Sequence, residues 1–164
     1  MSYRLEKIQS LSGNKASVYS VVVGDAKSSL FEQFILENKA DYVDEVKDIV
    51  NRVRSIGQKT GAKDIFFKER EGNLGDGVCA LYDRPSKNLR LYCIRYGNQI
   101  IVLGGGGPKQ VRALQDDPKL KAENYFLRKL SAEITERIKE REITFSNDGL
   151  DFEGNLSFEN HEEQ

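Results

Sequence analysis

The sequence predicts an α+β domain: a mostly antiparallel, twisted sheet, two N-terminal helices packed on one of its faces, and a C-terminal helix. Three observations predict it. Short runs rich in Val, Ile, Tyr and Phe, bounded by Gly, Asn and Ser, recur near both ends and through the middle of the 164 residues. Two helical apolar stripes follow one another between Ser28 and Gly61. A third stripe opens at Asp116-Asp117-Pro118, where an acidic N-cap precedes a proline suited to the first helical turn.

The elements follow in order. Tyr3–Leu11 and Ala16–Val23 read as a hairpin around the turn Ser12-Gly13-Asn14-Lys15. Ser28 or Ser29 then caps a short helix carrying Leu30, Phe31, Phe34 and Ile35. Asp41 starts a longer helix whose Val43, Val46, Ile49, Val50, Val53 and Ile56 share one stripe, with Gly57 and Gly61 at its end. A basic-studded meander comes next: Asp64–Arg70, Val78–Tyr82, Leu89–Tyr96, and Gln99–Leu103 after the turn Gly97-Asn98. Leu120, Leu127, Leu130, Ile134 and Ile138 continue the last helix to about Arg141. The order ββ-αα-βββ-α leaves the second sheet face partly open. We expect one domain over residues 1–141. Residues 142–164 form an acidic extension with short strand signals at Ile143–Phe145, Leu150–Phe152 and Leu156–Phe158.

Composition narrows the functional class. No apolar run approaches the roughly 18 residues that a membrane span needs, and the N-terminus lacks a signal-peptide apolar segment. Cys79 and Cys93 are too few for a disulfide framework, so a cytoplasmic, reduced protein is expected. They fall on adjacent strands as small buried hydrophobes and make a poor metal site; no metal or cofactor is expected. The net charge of −1 conceals an asymmetry. Residues 140–164 hold eight acids and one base, net −7, which leaves residues 1–139 at net +6. A basic body suits an anionic ligand, and the tail either masks the basic face or serves only solubility.

Strand alternation points to the binding face. With Leu89, Leu91 and Cys93 in the core, Arg90 and Tyr92 stand together on the opposite side, a cation for phosphate beside a ring for a nucleotide. Lys68 and Arg70 share one strand face. Strict alternation puts Arg95 on the Leu91/Cys93 side, at the sheet rim or beyond a bulge. Gly104-Gly105-Gly106-Gly107-Pro108-Lys109 is not a Walker A loop, because proline precedes the lysine and Gln110 follows it. It is either a glycine turn offering N–H groups to phosphate or a plain strand-to-helix connection.

This order, with Leu89-Arg90-Leu91-Tyr92 as an arginine-bearing strand and Gln99–Lys109 running into a Gly-and-Lys turn, resembles the RelE/ParE/HigB superfamily of toxin–antitoxin toxins. The phage-derived HigB-like branch is the nearest likeness, over roughly residues 16–137. The resemblance implies a bacterial mRNA endoribonuclease that needs no metal, acts at the ribosome to inhibit translation, and is held by a helix-turn-helix antitoxin. It also implies roles. Lys68, Arg70, Arg90 and Tyr92 would be catalytic, with Lys68 and Tyr92 sharing the acid–base work. Lys63, Arg95 and Lys109 would contact RNA. The chain departs from the family where its single histidine, His161, falls in the tail, and where the paired lysines are reduced to Lys109. A non-catalytic module of the same fold, binding a protein or nucleic acid, is the rival reading.

Overall fold

The computed structural model describes residues 2–68, 77–81, 88–109 and 117–159. It is α+β with a mixed sheet. The strands are β1 (Ser2–Lys7), β2 (Ser17–Val23), β3 (Phe67–Lys68), β4 (Val78–Leu81), β5 (Leu89–Tyr96) and β6 (Ile100–Pro108), then β7 (Ile143–Phe145), β8 (Phe152–Gly154) and β9 (Ser157–Glu159). The helices are α1 (Leu30–Asn38), α2 (Val43–Ser55) and α3 (Pro118–Lys139).

Local chemistry accounts for most of the boundaries. Ser29 accepts from the Glu32 N–H while Glu32 reaches back to the Ser29 N–H, a reciprocal capping box that starts α1. Asp117 accepts from the Leu120 N–H, and Pro118 stands in the first turn of α3. The second helix begins at Val43, two residues beyond Asp41, and winds into a π-turn over Ile56–Thr60 before Gly61, at φ 80°, ends it.

Seven strands form one sheet in the order β3-β4-β5-β6-β2-β1-β9. Every pairing in it is antiparallel except β2 with β6, where Ser17 to Ser20 run alongside Ile100 to Leu103. The expected N-terminal hairpin is present, with Tyr3 opposite Val23 and Lys7 opposite Tyr19. The C-terminal strand signals divide: β7 and β8 pair as a separate ribbon, while β9 joins the main sheet beside β1.

Both sheet faces are covered. Val18, Leu89, Leu91, Cys93, Ile101 and Leu103 pack with Phe31, Phe34, Val46, Ile49 and Val53 of α1 and α2. Tyr19, Val21, Tyr92, Ile94, Ile100 and Val102 pack with Leu120, Leu127, Leu130 and Ile134 of α3, joined by Ile143, Phe152 and Phe158. The expected open face is therefore closed by α3. The reason is simple: its apolar stripe must be buried, and α1 and α2 already occupy the first face. Burial on both sides also explains the unbroken apolar run Ile100–Leu103.

The glycine run corrects a second expectation. Gly104–Gly107 lie inside β6, fully buried, and form no turn. A register shift between Leu91 and Cys93 accommodates one extra β6 residue opposite Tyr92. The bare backbone then lets α3 settle directly on the strand. A Cβ on Gly104 would stand 2.7 Å from Leu127 Cδ1, one on Gly105 would run into the Glu123 carboxylate, and one on Gly107 would lie 3.2 Å from Lys119 Cε.

Candidate nucleic-acid interface

The α3 face of β5 and β6 carries the first two cations. Arg90 pairs with Gly107, and the Lys109 N–H donates to the Asn88 carbonyl at 2.7 Å, so the ladder continues one step past Pro108. Alternation then puts Lys109 and Arg90 on one face as diagonal neighbours, within reach of a common ligand. Both side chains are half-buried.

Lys68 joins them from the sheet edge. Phe67 is buried in the α1–α2 cluster, so the next residue turns to the α3 side. Lys68 is exposed and lies in a row with Ala80 and Tyr92 across β3, β4 and β5. Two strand spacings put it about 10 Å from β5.

A third wall comes from α3, and its residues escaped the reading of the sequence. Leu120, Leu127 and Ile134 point into the sheet. On one flank Phe126 meets Tyr3 edge-on, Glu133 accepts from the Tyr3 hydroxyl, and Arg137 donates to the carbonyls of Asn155 and Ser157. That flank faces β1 and β9. The opposite flank, carrying Lys121 and Arg128, therefore turns toward the β4–β5 side, while Tyr125, about 160° round the helix from Leu127, is exposed on the outer face of α3. The Lys121 ammonium and the Arg128 guanidinium lie 5.6 and 5.3 Å from the Tyr125 ring centroid. Their spacing of four and three residues, one step off the Leu120/Leu127 stripe, was the signal available in the sequence.

Where α3 begins, Lys119 Nζ lies 3.4 Å from Glu37 of α1 and 3.6 Å from Glu123. Burial against the glycine backbone raises the Glu123 carboxyl above its ordinary range, Lys119 opposes that shift, and Glu37 adds to it. Glu123 is thus the acid set nearest the cationic cleft on α3, held back by its lysine.

Several expected site residues lie elsewhere. Tyr92 is wholly buried beneath α3 and offers no ring to a nucleotide. Closure of that face by α3 is the cause. Arg95 does turn to the α1–α2 side, as alternation required. There its guanidinium donates twice to the Ala62 carbonyl, at 3.1 and 2.7 Å, and once to Asn98, and it stacks 5.1 Å from the Phe67 ring centroid. It ties the β5–β6 turn to residue 62 and stands on the wrong face to join Arg90. Lys63 is exposed beside Ala62, next to that same tie. Arg70 lies outside the described residues, as does His161.

Residues 142–159 of the acidic extension do not cover the cations. Asp151 accepts from Lys7 at 2.7 Å, from Ser17 at 3.0 Å and from Tyr19 at 3.4 Å, and the Gln99 amide reaches the Asp148 carbonyl. These contacts gather at the β5–β6 turn, about 20 Å along β5 from Arg90. Lys7 above all holds the Asp151 carboxyl below its usual range, despite some burial. Cys79 and Cys93 face each other in the β4–β5 register with sulfurs 3.5 Å apart, both buried, as neighbouring small hydrophobes.

A groove of about 450 Å³ opens on the α1–α2 side between Lys7, Leu11, Phe31 and Arg54. Its charges cancel, Glu6 and Glu32 against Lys7 and Arg54, so it offers no field for an anion. No described helix is long and apolar enough to cross a membrane. No protein-family model matches the chain, and no curated protein or solved structure matches it either, so the reading rests on these residues.

Proposed function

We propose that the protein is the toxin of a type II toxin–antitoxin pair of the RelE/HigB kind, a cytoplasmic protein that engages mRNA at the ribosome and is neutralised by a helix-turn-helix partner. The observation that carries the reading is the placement of Lys68, Arg90 and Lys109 on the α3 side of the sheet, with Lys121 and Arg128 on the flank of α3 turned toward them. Phosphate contacts supply most of the affinity in such a complex, and cations fixed on a rigid sheet are suited to it. The order of elements supports it too: two helices between β2 and the meander, an arginine-bearing β5, a lysine after β6, then α3.

In metal-independent RNA cleavage a 2′-oxygen attacks the neighbouring phosphorus. A base takes its proton, cations hold the charge that builds up, and an acid protonates the leaving 5′-oxygen. Arg90 and Lys109 suit the charge-holding role, and the exposed Lys68 suits proton transfer. Burial of Tyr92 removes the partner expected for Lys68. That observation favours a second reading, in which the same cleft binds RNA without cutting it.

The test is induced expression without a partner, scored by growth and by radiolabelled amino-acid incorporation, for wild type and Arg90→Ala. Arrest of translation by wild type and not by the folded variant supports the toxin. Harmless expression at high soluble levels overturns it. Incubation of purified protein with mRNA and ribosomes then separates the readings: cleavage that Lys68→Ala abolishes marks an enzyme, and intact RNA marks a binder.

A further inference from the structure

We propose that the groove between β1, α1 and α2 is a site for a small apolar zwitterion, namely an α-amino acid with a large hydrophobic side chain. The groove lies on the α1–α2 side of the sheet, away from the cationic cleft, and the inference stands whether or not that cleft takes RNA. Its floor is apolar. Leu11 and Phe31 are buried there, and Ile8, Ile35 and Val50 pack against the same core cluster. A space of about 450 Å³ over such a floor falls in the size range of small-molecule sites.

The charges on the walls select the ligand. Lys7 is already held by Asp151 and Glu6 by Arg4, each at 2.7 Å. Glu32 and Arg54 are different: among the described residues neither enters an ion pair. One Glu32 oxygen accepts from the Ser29 N–H at 3.2 Å, and one terminal nitrogen of Arg54 donates to Asn51 at 3.0 Å. The second oxygen of Glu32 and the other donors of Arg54 remain for a ligand. Their placement sets them on different walls. Ile35 and Val50 both line the groove, and residues 39–42 join α1 to α2. One turn back from Ile35 and one turn on from Val50 therefore both lead away from that connection, to Glu32 on α1 and Arg54 on α2. An acid and a base so arranged give a lone anion little net field, yet together they suit a ligand that carries both signs. Its ammonium donates to Glu32, its carboxylate takes a two-pronged contact from Arg54, and its side chain lies on Leu11, Phe31 and Val50. A residue within a peptide carries neither charge and gains only the floor.

The experiment is titration of the full chain, followed by amide correlation NMR spectra, with L-phenylalanine and four relatives that each lack one feature. Phenethylamine lacks the carboxylate, 3-phenylpropanoate the ammonium, glycine the side chain, and N-acetyl-phenylalanine amide both charges. L-Phenylalanine is expected to give saturable shifts at Leu11, Phe31, Ile35 and Val50, and each relative should bind at least about tenfold more weakly. Two exposed substitutions identify the walls. Glu32→Gln keeps the Ser29 capping box, since glutamine serves there as well as glutamate, and should weaken L-phenylalanine about tenfold while leaving 3-phenylpropanoate unchanged. Arg54→Gln should weaken L-phenylalanine and 3-phenylpropanoate and spare phenethylamine. Absence of saturable shifts with L-phenylalanine up to about 10 mM overturns the proposal. So does binding of 3-phenylpropanoate or of the N-acetyl amide as tight as that of L-phenylalanine, which would mark an apolar-acid site or a peptide groove instead.

Discussion

Gly104 of β6 lies directly under Leu127 of α3, so closely that a single methyl group on the glycine would sit 2.7 Å from the leucine Cδ1. Gly104, Gly105 and Gly107 therefore mark the seat of a helix, while Gly106 lies against the β5 backbone at Arg90. Gly104→Ala should force α3 off the strand and cost about 1–3 kcal/mol. Gly107→Ala, which meets only the flexible end of Lys119, should cost less than about 1 kcal/mol. Urea unfolding of both variants checks this, and equal losses would contradict the seat.

Tyr92 and Arg90 should separate cleanly, although they lie two residues apart on β5. Tyr92→Ala empties a fully buried site and should cost about 3–5 kcal/mol whatever the ligand. Arg90→Ala, at a half-buried position, should cost less stability than Tyr92→Ala and should weaken RNA binding. Thermal melts beside a binding isotherm give both readings for each variant.

Asp151 makes stability depend on acid. Its folded carboxyl is depressed, chiefly by the Lys7 hydrogen bond, with Ser17 and Tyr19 helping. A depressed group stabilises above its unfolded value, near 3.8, and that contribution is lost as pH falls through the folded value. Unfolding free energy should therefore drop from about pH 4 downward. Asp151→Asn should be less stable than wild type at pH 7, and the gap between them should shrink as the pH falls toward 2. A constant gap across that window would mean that the Lys7 contact contributes nothing measurable.

The thiols should be inert in the folded chain. Burial, reinforced by the hydrogen bond with Cys79, pushes the Cys93 thiol well above its ordinary value. A raised value favours the protonated folded state, so its stabilising contribution is complete below the unfolded value and fades as pH climbs beyond it. Alkylation at pH 8 should proceed at the rate of global unfolding, not at the rate of a free thiol. Rapid labelling of native protein would point to local opening of β4.

Truncation after Arg141 should abolish cooperative unfolding. It removes the buried Ile143, Phe152 and Phe158 and the two carbonyls that Arg137 binds. By contrast, Glu153→Gln with Glu159→Gln should fold normally and leave RNA affinity within about twofold at moderate salt, because β9 lies beyond β6, β2 and β1 from β5 and β8 sits toward the β5–β6 turn, both beyond a Debye length of Arg90. A marked gain in affinity would restore the tail as a mask.

Much of the fold was legible in the chain because it is written in local chemistry. Ser29 with Glu32, Asp117 with Pro118, and the alternation through Leu89, Leu91 and Cys93 each act within a few residues. The same alternation put Arg90 with Tyr92 on one face and Arg95 on the Leu91/Cys93 face, as the structure has them. What lies over a strand face is not local. The tertiary structure alone decided that α3 crosses the Arg90 face, which buries Tyr92, turns Gly104, Gly105 and Gly107 from a loop into a helix seat, and sets Lys121 and Arg128 on the flank turned toward β5. The parallel pairing of β2 with β6, residues some eighty positions apart, and the addition of β9 beside β1 belong there too. Periodicity tells a residue which side of its own element it occupies. Which element covers that side depends on where the remaining apolar stripes can be buried, and that is settled only when the whole chain packs.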